Sequence, residues 1–208
     1  MYYLTDKIWF PDVAQATPEG ILAIGGDLSV ARLLHAYKHG VFPWFEVGEP
    51  ILWWSPDPRF VLYPDALKVS KSMKQFLRRC DYTVTVNTAF RDVISSCSKI
   101  KRQGQTDTWI TNNMVEAYVK LHELGYAKSV EVWRDNTLIA GFYGVDLANG
   151  VFCGESMFTT ESNASKAAFI TFVQNTNYKL IDCQVHTNHL ESLGAVSISR
   201  HEFLSYLK

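Results

Sequence analysis

Apolar residues alternate with polar ones in four stretches and recur at helical spacing in several others. SVEVWR (129–134), TLIAGFYGV (137–145) and VFCGESMF (151–158) read as strands. Asp135-Asn136 and Asn149-Gly150 lie between them, and Asn-Gly is a hairpin dipeptide, so a meander of three strands is predicted. TVTV (83–86) alternates in the same way, and LIDCQ (180–184) is a short, apolar, buried strand. The spacing predicts a helix over 70–80 with Ser70 as its cap: Lys71, Lys74, Arg78 and Arg79 fall on one arc, Met73, Phe76 and Leu77 on the other. Further helices are predicted from Asp27 or Ser29 to about His39 with Gly40 beyond it, from an Asn87 cap to about Cys97, and over 112–124 up to Gly125. Two more run from Ser162 or Asn163 to about Gln174, and over 189–195 where Gly194 closes the turn. The polar run 99–107 is predicted as a loop.

Residues 1–60 have a different character. VFPWFEVGEPILWWSPDPRF carries prolines at 43, 50, 56 and 58, which forbid continuous helix and favour turns and edge strands. Its aromatic content says that it packs rather than links. Trp53 and Trp54 are adjacent, so on a strand they face opposite ways and at most one lines a given pocket. The chain is thus expected to divide into a small N-terminal α/β unit, 1–62, and a larger one, 63–208. The order of elements in the larger unit (antiparallel strands, helix, crossover strand, short helix) resembles the acyl-CoA-dependent N-acyltransferases. The expected fold class is therefore α+β, with a GNAT-like C-terminal domain built on a mixed, mostly antiparallel sheet.

Composition narrows the functional classes. With 208 residues, 47% apolar and 20% charged, the chain can bury a real core. No apolar run approaches the ~20 residues of a membrane helix, and MYYLTDKIWFPD has no basic region followed by an apolar one. A cytoplasmic protein with no membrane partner is expected. Cys80, Cys97, Cys153 and Cys183 include no CxxC pair, so reduced thiols are expected. His186 and His189 stand three apart with little else to complete a metal site, and no GxxxxGK[ST] phosphate loop occurs. Neither metal nor cofactor is expected.

Three groups of residues could carry chemistry. Glu155, just beyond a predicted strand, and Asp182 and Gln184, at the end of another, are of the types that amine chemistry needs. A carboxylate can accept the ammonium proton and an amide oxygen can orient the amine. Spacing alone favours turn or capping roles for them. The aromatic residues could stack on a base or form core, and the basic arc over 71–79 could touch phosphates or face solvent.

GILAIGGDLS, AYKHGVFPWF, PILWWSPDPR, TDTWIT, SVEVW, GESMF, NASK and LIDCQ follow one another across residues 2–207. In that order they resemble the bacterial leucyl/phenylalanyl-tRNA–protein transferases. The resemblance implies transfer of leucine or phenylalanine from aminoacyl-tRNA to proteins or peptides with an N-terminal Arg or Lys, marking them for N-end-rule degradation. It implies that Asp182 and Gln184 form a proton-relay pair and that Glu155 meets the acceptor. It implies that Tyr37, Trp44, Trp109 and Tyr118 surround the terminal adenosine. Phe142, Phe152, Met157, Phe172 and Ile181 would form the amino-acid pocket, and Lys71, Lys74, Arg78 and Arg79 would contact tRNA phosphates. The family often has Met or Leu where Phe142 stands, so a tighter pocket is expected here. Two rival readings are open to the residues. A CoA-dependent acyltransferase needs a Q/R-x-x-G-x-G/A turn, which RQGQT (102–106) lacks. A non-catalytic RNA-binding module would leave Glu155, Asp182 and Gln184 unused.

Overall fold

The structure of the protein, a computed structural model, is described for residues 1–100 and 109–208. The predicted loop over 99–107 therefore lies mostly outside the described residues, as does RQGQT (102–106). Two sheets organise the rest. The smaller has strands β1 (Tyr2–Leu4), β2 (Ile21–Gly25), β3 (Phe42–Pro43) and β4 (Leu52–Trp54) in the order β1-β2-β4-β3, with helix α1 (Val30–Lys38) between β2 and β3. Ser29 caps α1 and Gly40 takes the left-handed backbone just past it, as the sequence predicts. Trp53 is fully buried and donates to the Gly25 carbonyl at 2.9 Å, while Trp54, facing the other way, donates to the Trp44 carbonyl at 2.6 Å.

The larger sheet has seven strands in the order β11-β5-β10-β9-β8-β7-β6. They are β5 (Arg59–Leu62), β6 (Thr83–Val86), β7 (Ala127–Arg134), β8 (Thr137–Asp146), β9 (Val151–Thr159), β10 (Leu180–Gln184) and β11 (Val196–Ile198). All neighbours are antiparallel except β10 and β9, so the expected mixed, mostly antiparallel α+β architecture is what the chain adopts. The two sheets part between Trp54 and Arg59, so β5 belongs to the large sheet. The expected division into 1–62 and 63–208 thus leaves one strand of the large sheet, β5, in the N-terminal unit.

Side chains alternate across the large sheet as a two-residue period requires. Val130, Val132, Phe142 and Phe152 pack with α5 (Ala164–Gln174) on one face. Tyr143, Val145 and Cys153 pack on the other with α3 (Phe90–Lys99) and α4 (Asn112–Glu123). Helix α2 (Lys71–Arg79) buries Met73 and exposes its four cations. Two short helices, α6 (Asn188–Ser192) and α7 (Arg200–Ser205), follow β10 and β11.

Three local expectations need correction. Asn87 does not cap α3. It holds a left-handed backbone and accepts from the Ser129 N–H, and α3 begins three residues later. The fully buried Glu131 of β7 instead accepts from the N–H of Ala89, the residue just before α3, and α3 has no side-chain cap. Asn163 precedes α5 in a left-handed backbone but makes no side-chain cap bond. Glu155 and Asp182 lie within strands rather than at their ends, because β9 keeps its pairing with β8 out to Thr159 and β10 runs on to Gln184.

The β8–β9 register slips between Tyr143 and Gly144, where the two backbones approach closely. A Cβ on Gly144 would collide with the Cys153 carbonyl oxygen and the Phe152 ring. Gly144→Ala is accordingly expected to cost at least about 2 kcal/mol, read as a fall in the urea midpoint at unchanged slope.

Candidate active site

The parallel pairing of β9 and β10 ends at Asp182 opposite Cys153. Beyond that point the strands diverge and a cavity of about 360 Å³ opens between them. Gly154, Glu155, Ser156 and Met157 line it from β9, 181–184 from β10, and Val185 from just beyond that strand. The small sheet contributes Phe42, Pro43 and Trp44, and Trp109 closes the same side. Phe142, Phe152, Phe169 and Ile181 make its apolar part. His189 and Leu190 of α6 complete the wall.

The polar part is a short hydrogen-bonded chain. Gln184 donates from Nε2 to Glu155 Oε1 at 2.7 Å, and Tyr118 donates to Glu155 Oε2 at 3.2 Å. Tyr37 and Tyr118, both fully buried, share a hydrogen bond through their hydroxyls. Desolvation pushes the Glu155 carboxyl up to about 8, with the negative charge of Asp182 adding to it. The hydrogen bonds from Tyr37, Tyr118 and Gln184 pull the other way and do not outweigh it.

Asp182 is fully buried and engaged on both oxygens. Arg59 donates from Nε to Oδ1 at 2.8 Å and from Nη2 to Oδ2 at 2.6 Å, and the Gln184 N–H donates to Oδ1 at 2.9 Å. This two-point geometry is the strongest that a guanidinium offers a carboxylate. Gln184 has φ of 64°, a left-handed backbone rare outside glycine, at the point where the β10–β5 register shifts. That bulge turns its side chain toward Glu155. Cys183 lines the cavity, but burial and then the Asp182 charge push its thiol up, so it stays neutral and is no nucleophile.

Nine of the residues singled out from sequence therefore share one cavity: Trp44, Trp109, Phe142, Phe152, Met157 and Ile181 with Glu155, Asp182 and Gln184. Seven do not line it. Phe172 stands behind it, its ring 4.8 Å from that of Phe152 and 5.3 Å from that of Phe142. Tyr37 and Tyr118 are fully buried beneath Glu155, their hydroxyls bonded to each other and that of Tyr118 to the carboxyl. Lys71, Lys74, Arg78 and Arg79 line a separate groove with Gln75 along α2, and none of the four forms an ion pair among the described residues.

Sequence reasoning missed Arg59, whose signal was there: an arginine opening the otherwise apolar RFVL strand needs a buried counter-charge. It also missed Phe42, Phe169 and the α6 wall, where nothing in the pattern separates a cavity residue from a core residue. His186 meets Glu191 at 3.1 Å, while His189 keeps a buried Nε2 with no hydrogen bond among the described residues. Among those residues no helix is long and apolar enough to cross a membrane, and no group of three or more His, Cys, Asp and Glu could hold a metal.

Comparison with known proteins gives the chain its relatives. A profile described as leucyl/phenylalanyl-tRNA protein transferase matches residues 61–208, and one for the N-terminal domain of that protein matches residues 26–57. A protein of Flavobacterium johnsoniae named leucyl/phenylalanyl-tRNA–protein transferase is 58% identical over 100% of this chain and 99% of its own length. A protein of the same name from Escherichia coli O139:H28 is 54% identical over 95% of this chain and 84% of its own. Among solved structures, a GCN5-related N-acetyltransferase from Kribbella flavida aligns at 13% identity and a TM-score of 0.39, over 79% of this chain and 59% of that one. The full-length match at these identities is decisive: the chain belongs to the leucyl/phenylalanyl-tRNA protein transferase family.

Proposed function

We propose that the protein transfers leucine or phenylalanine from the 3′ end of aminoacyl-tRNA to the N-terminal Arg or Lys of an acceptor protein, in the cytoplasm and without a cofactor. One observation carries this reading. A single cavity joins an apolar slot, two tryptophans and a carboxyl group of raised pKa held by an amide.

The slot suits an unbranched-β apolar side chain, with each buried methylene contributing about 0.8 kcal/mol. Trp44 and Trp109 offer π faces to the terminal adenine. The incoming amine has a pKa near ~7.7–8.0, close to the value of Glu155, so proton transfer between them is nearly thermoneutral. The Gln184 amide donates to Glu155 through Nε2, which leaves its Oε1 to accept an amine N–H and orient the lone pair. The amine nitrogen attacks the ester carbonyl, a C–N bond forms, and Glu155 takes the proton. The C–O bond to the ribose then breaks, and the same proton passes to the departing ribose oxygen. The ester is already activated, so no covalent enzyme intermediate is needed. Asp182 holds this arrangement rather than moving the proton, because Arg59 occupies it. Paired in this way, it adds no net charge to the cavity.

The direct test incubates the protein with Leu-tRNA and an Arg-initiated peptide. Appearance of the Leu-Arg peptide bond is the expected result, and its absence would overturn the assignment. The α2 groove is assigned to tRNA phosphates. Neutralising Lys71, Lys74, Arg78 and Arg79 one at a time should reduce the slope of log Kd against log salt by about 1 for each true phosphate contact. An unchanged slope for all four would leave α2 a solvated face.

A further inference from the structure

We infer that Arg59 is a positioning residue for acyl transfer, setting the Gln184–Glu155 pair through Asp182 and tying it to the N-terminal sheet and the C-terminal helix. The inference rests on the proposed roles of Gln184 and Glu155.

Arg59 is 1% exposed, yet every part of its guanidinium is occupied. Two nitrogens fork onto Asp182. The third, Nη1, donates to the Gly40 carbonyl at 3.2 Å, at the end of α1. The plane lies over two rings, 4.8 Å from the centre of Phe42 and 4.5 Å from that of Phe203. Phe42 belongs to β3 and lines the cavity; Phe203 belongs to α7 and does not. One side chain therefore touches the small sheet, the end of α1, α7 and the central strand of the site.

The consequence passes along β10. With both Asp182 oxygens fixed, Oδ1 is held where the Gln184 N–H can reach it. That bond secures the left-handed backbone at Gln184, a conformation that persists outside glycine only where its surroundings enforce it. The backbone in turn decides where Nε2 points, and it points at Glu155. The cation also screens Glu155 from the Asp182 charge that helps to raise it. Lysine cannot replace this function: its single ammonium carries the charge without the fork.

The test compares the wild type with Arg59→Lys and Phe203→Leu, using Leu-tRNA and an Arg-initiated peptide. Arg59→Lys should keep the KM for Leu-tRNA within about twofold and lower kcat at least about tenfold, since small misplacements at a reacting centre have large effects on rate. Its kcat should also rise at a more alkaline pH, because Asp182 is less completely neutralised. Phe203→Leu, remote from the cavity, should lower kcat severalfold with the KM for Leu-tRNA unchanged. A folded Arg59→Lys protein with unaltered kcat and pH midpoint would overturn the inference, leaving Arg59 a fold-holding residue only. Should Arg59→Lys fail to fold, Phe203→Leu decides, and an unaltered kcat there overturns it equally. A wild-type protein that forms no peptide bond would instead sink the proposed function, so the two failures are distinguishable.

Discussion

Glu155→Gln is expected to slow transfer by about 10²-fold or more, the range that a positioned general base contributes. It should also change the form of the pH dependence. In the wild type two groups must lose a proton before the reaction, the amine and Glu155, and both titrate near 8. The plot of log kcat/KM against pH should therefore climb with a slope approaching about two below neutrality and level off above both values. With glutamine at 155 only the amine titrates, and the slope falls to about one. Initial rates from pH 6 to 9, corrected for spontaneous ester hydrolysis, give the comparison. A wild-type slope of one, or a variant within a fewfold of the wild type, would mean that Glu155 is not the base. Stability moves in the opposite direction. A carboxyl whose folded pKa is raised binds its proton more tightly in the folded state, so the stability present below its ordinary value is lost progressively as pH rises through about 8. Glu155→Gln does not incur that loss and should be more stable than the wild type at pH 9.

Asp182→Ala should have the largest effect on stability. It leaves the Arg59 guanidinium buried with no counter-charge. Breaking such a pair on one side costs about 3–5 kcal/mol, which in a chain of this size lowers the thermal midpoint by about 6–20 °C. The same physics predicts recovery. Arg59→Met combined with Asp182→Leu removes both charges and their desolvation together, so it should regain most of the lost stability while remaining inactive. Urea denaturation of the three proteins separates these outcomes. If Asp182→Ala unfolds at the wild-type midpoint, the pair is not what holds β5 to β10.

Much of this was legible in the chain because it is locally encoded. The meander, the Ser70 and Ser29 caps and the turn glycines follow from periodicity and turn chemistry within a few residues, and they stand where the pattern puts them. The failures share a cause. Asn87 has the right side chain to cap α3, but Glu131, 42 residues away from Ala89, reaches the helix end from β7. Tyr37 and Tyr118 could be stacking or core aromatics by sequence, and only the packing of α1 against α4 shows that their hydroxyls are turned inward toward Glu155. Arg59 opens an apolar strand and so calls for a buried counter-charge, but nothing local says that Asp182 will supply it. The apolar residues of the cavity were identifiable as buried. Which of them face an opening was decided by where β9 and β10 diverge, and no period in the sequence encodes that.

The distance along the chain between the partners bears on how the enzyme comes into being. Arg59 and Asp182 are 123 residues apart, and Tyr37 and Tyr118 are 81 apart. Contacts across such spans close large loops before any bond rewards them, so they form late and slowly. Helices and hairpins can therefore be complete in a refolding molecule that cannot yet catalyse transfer. Transfer activity is accordingly expected to return after the helical signal on refolding, once Arg59 has met Asp182 and the backbone at Gln184 is fixed in place.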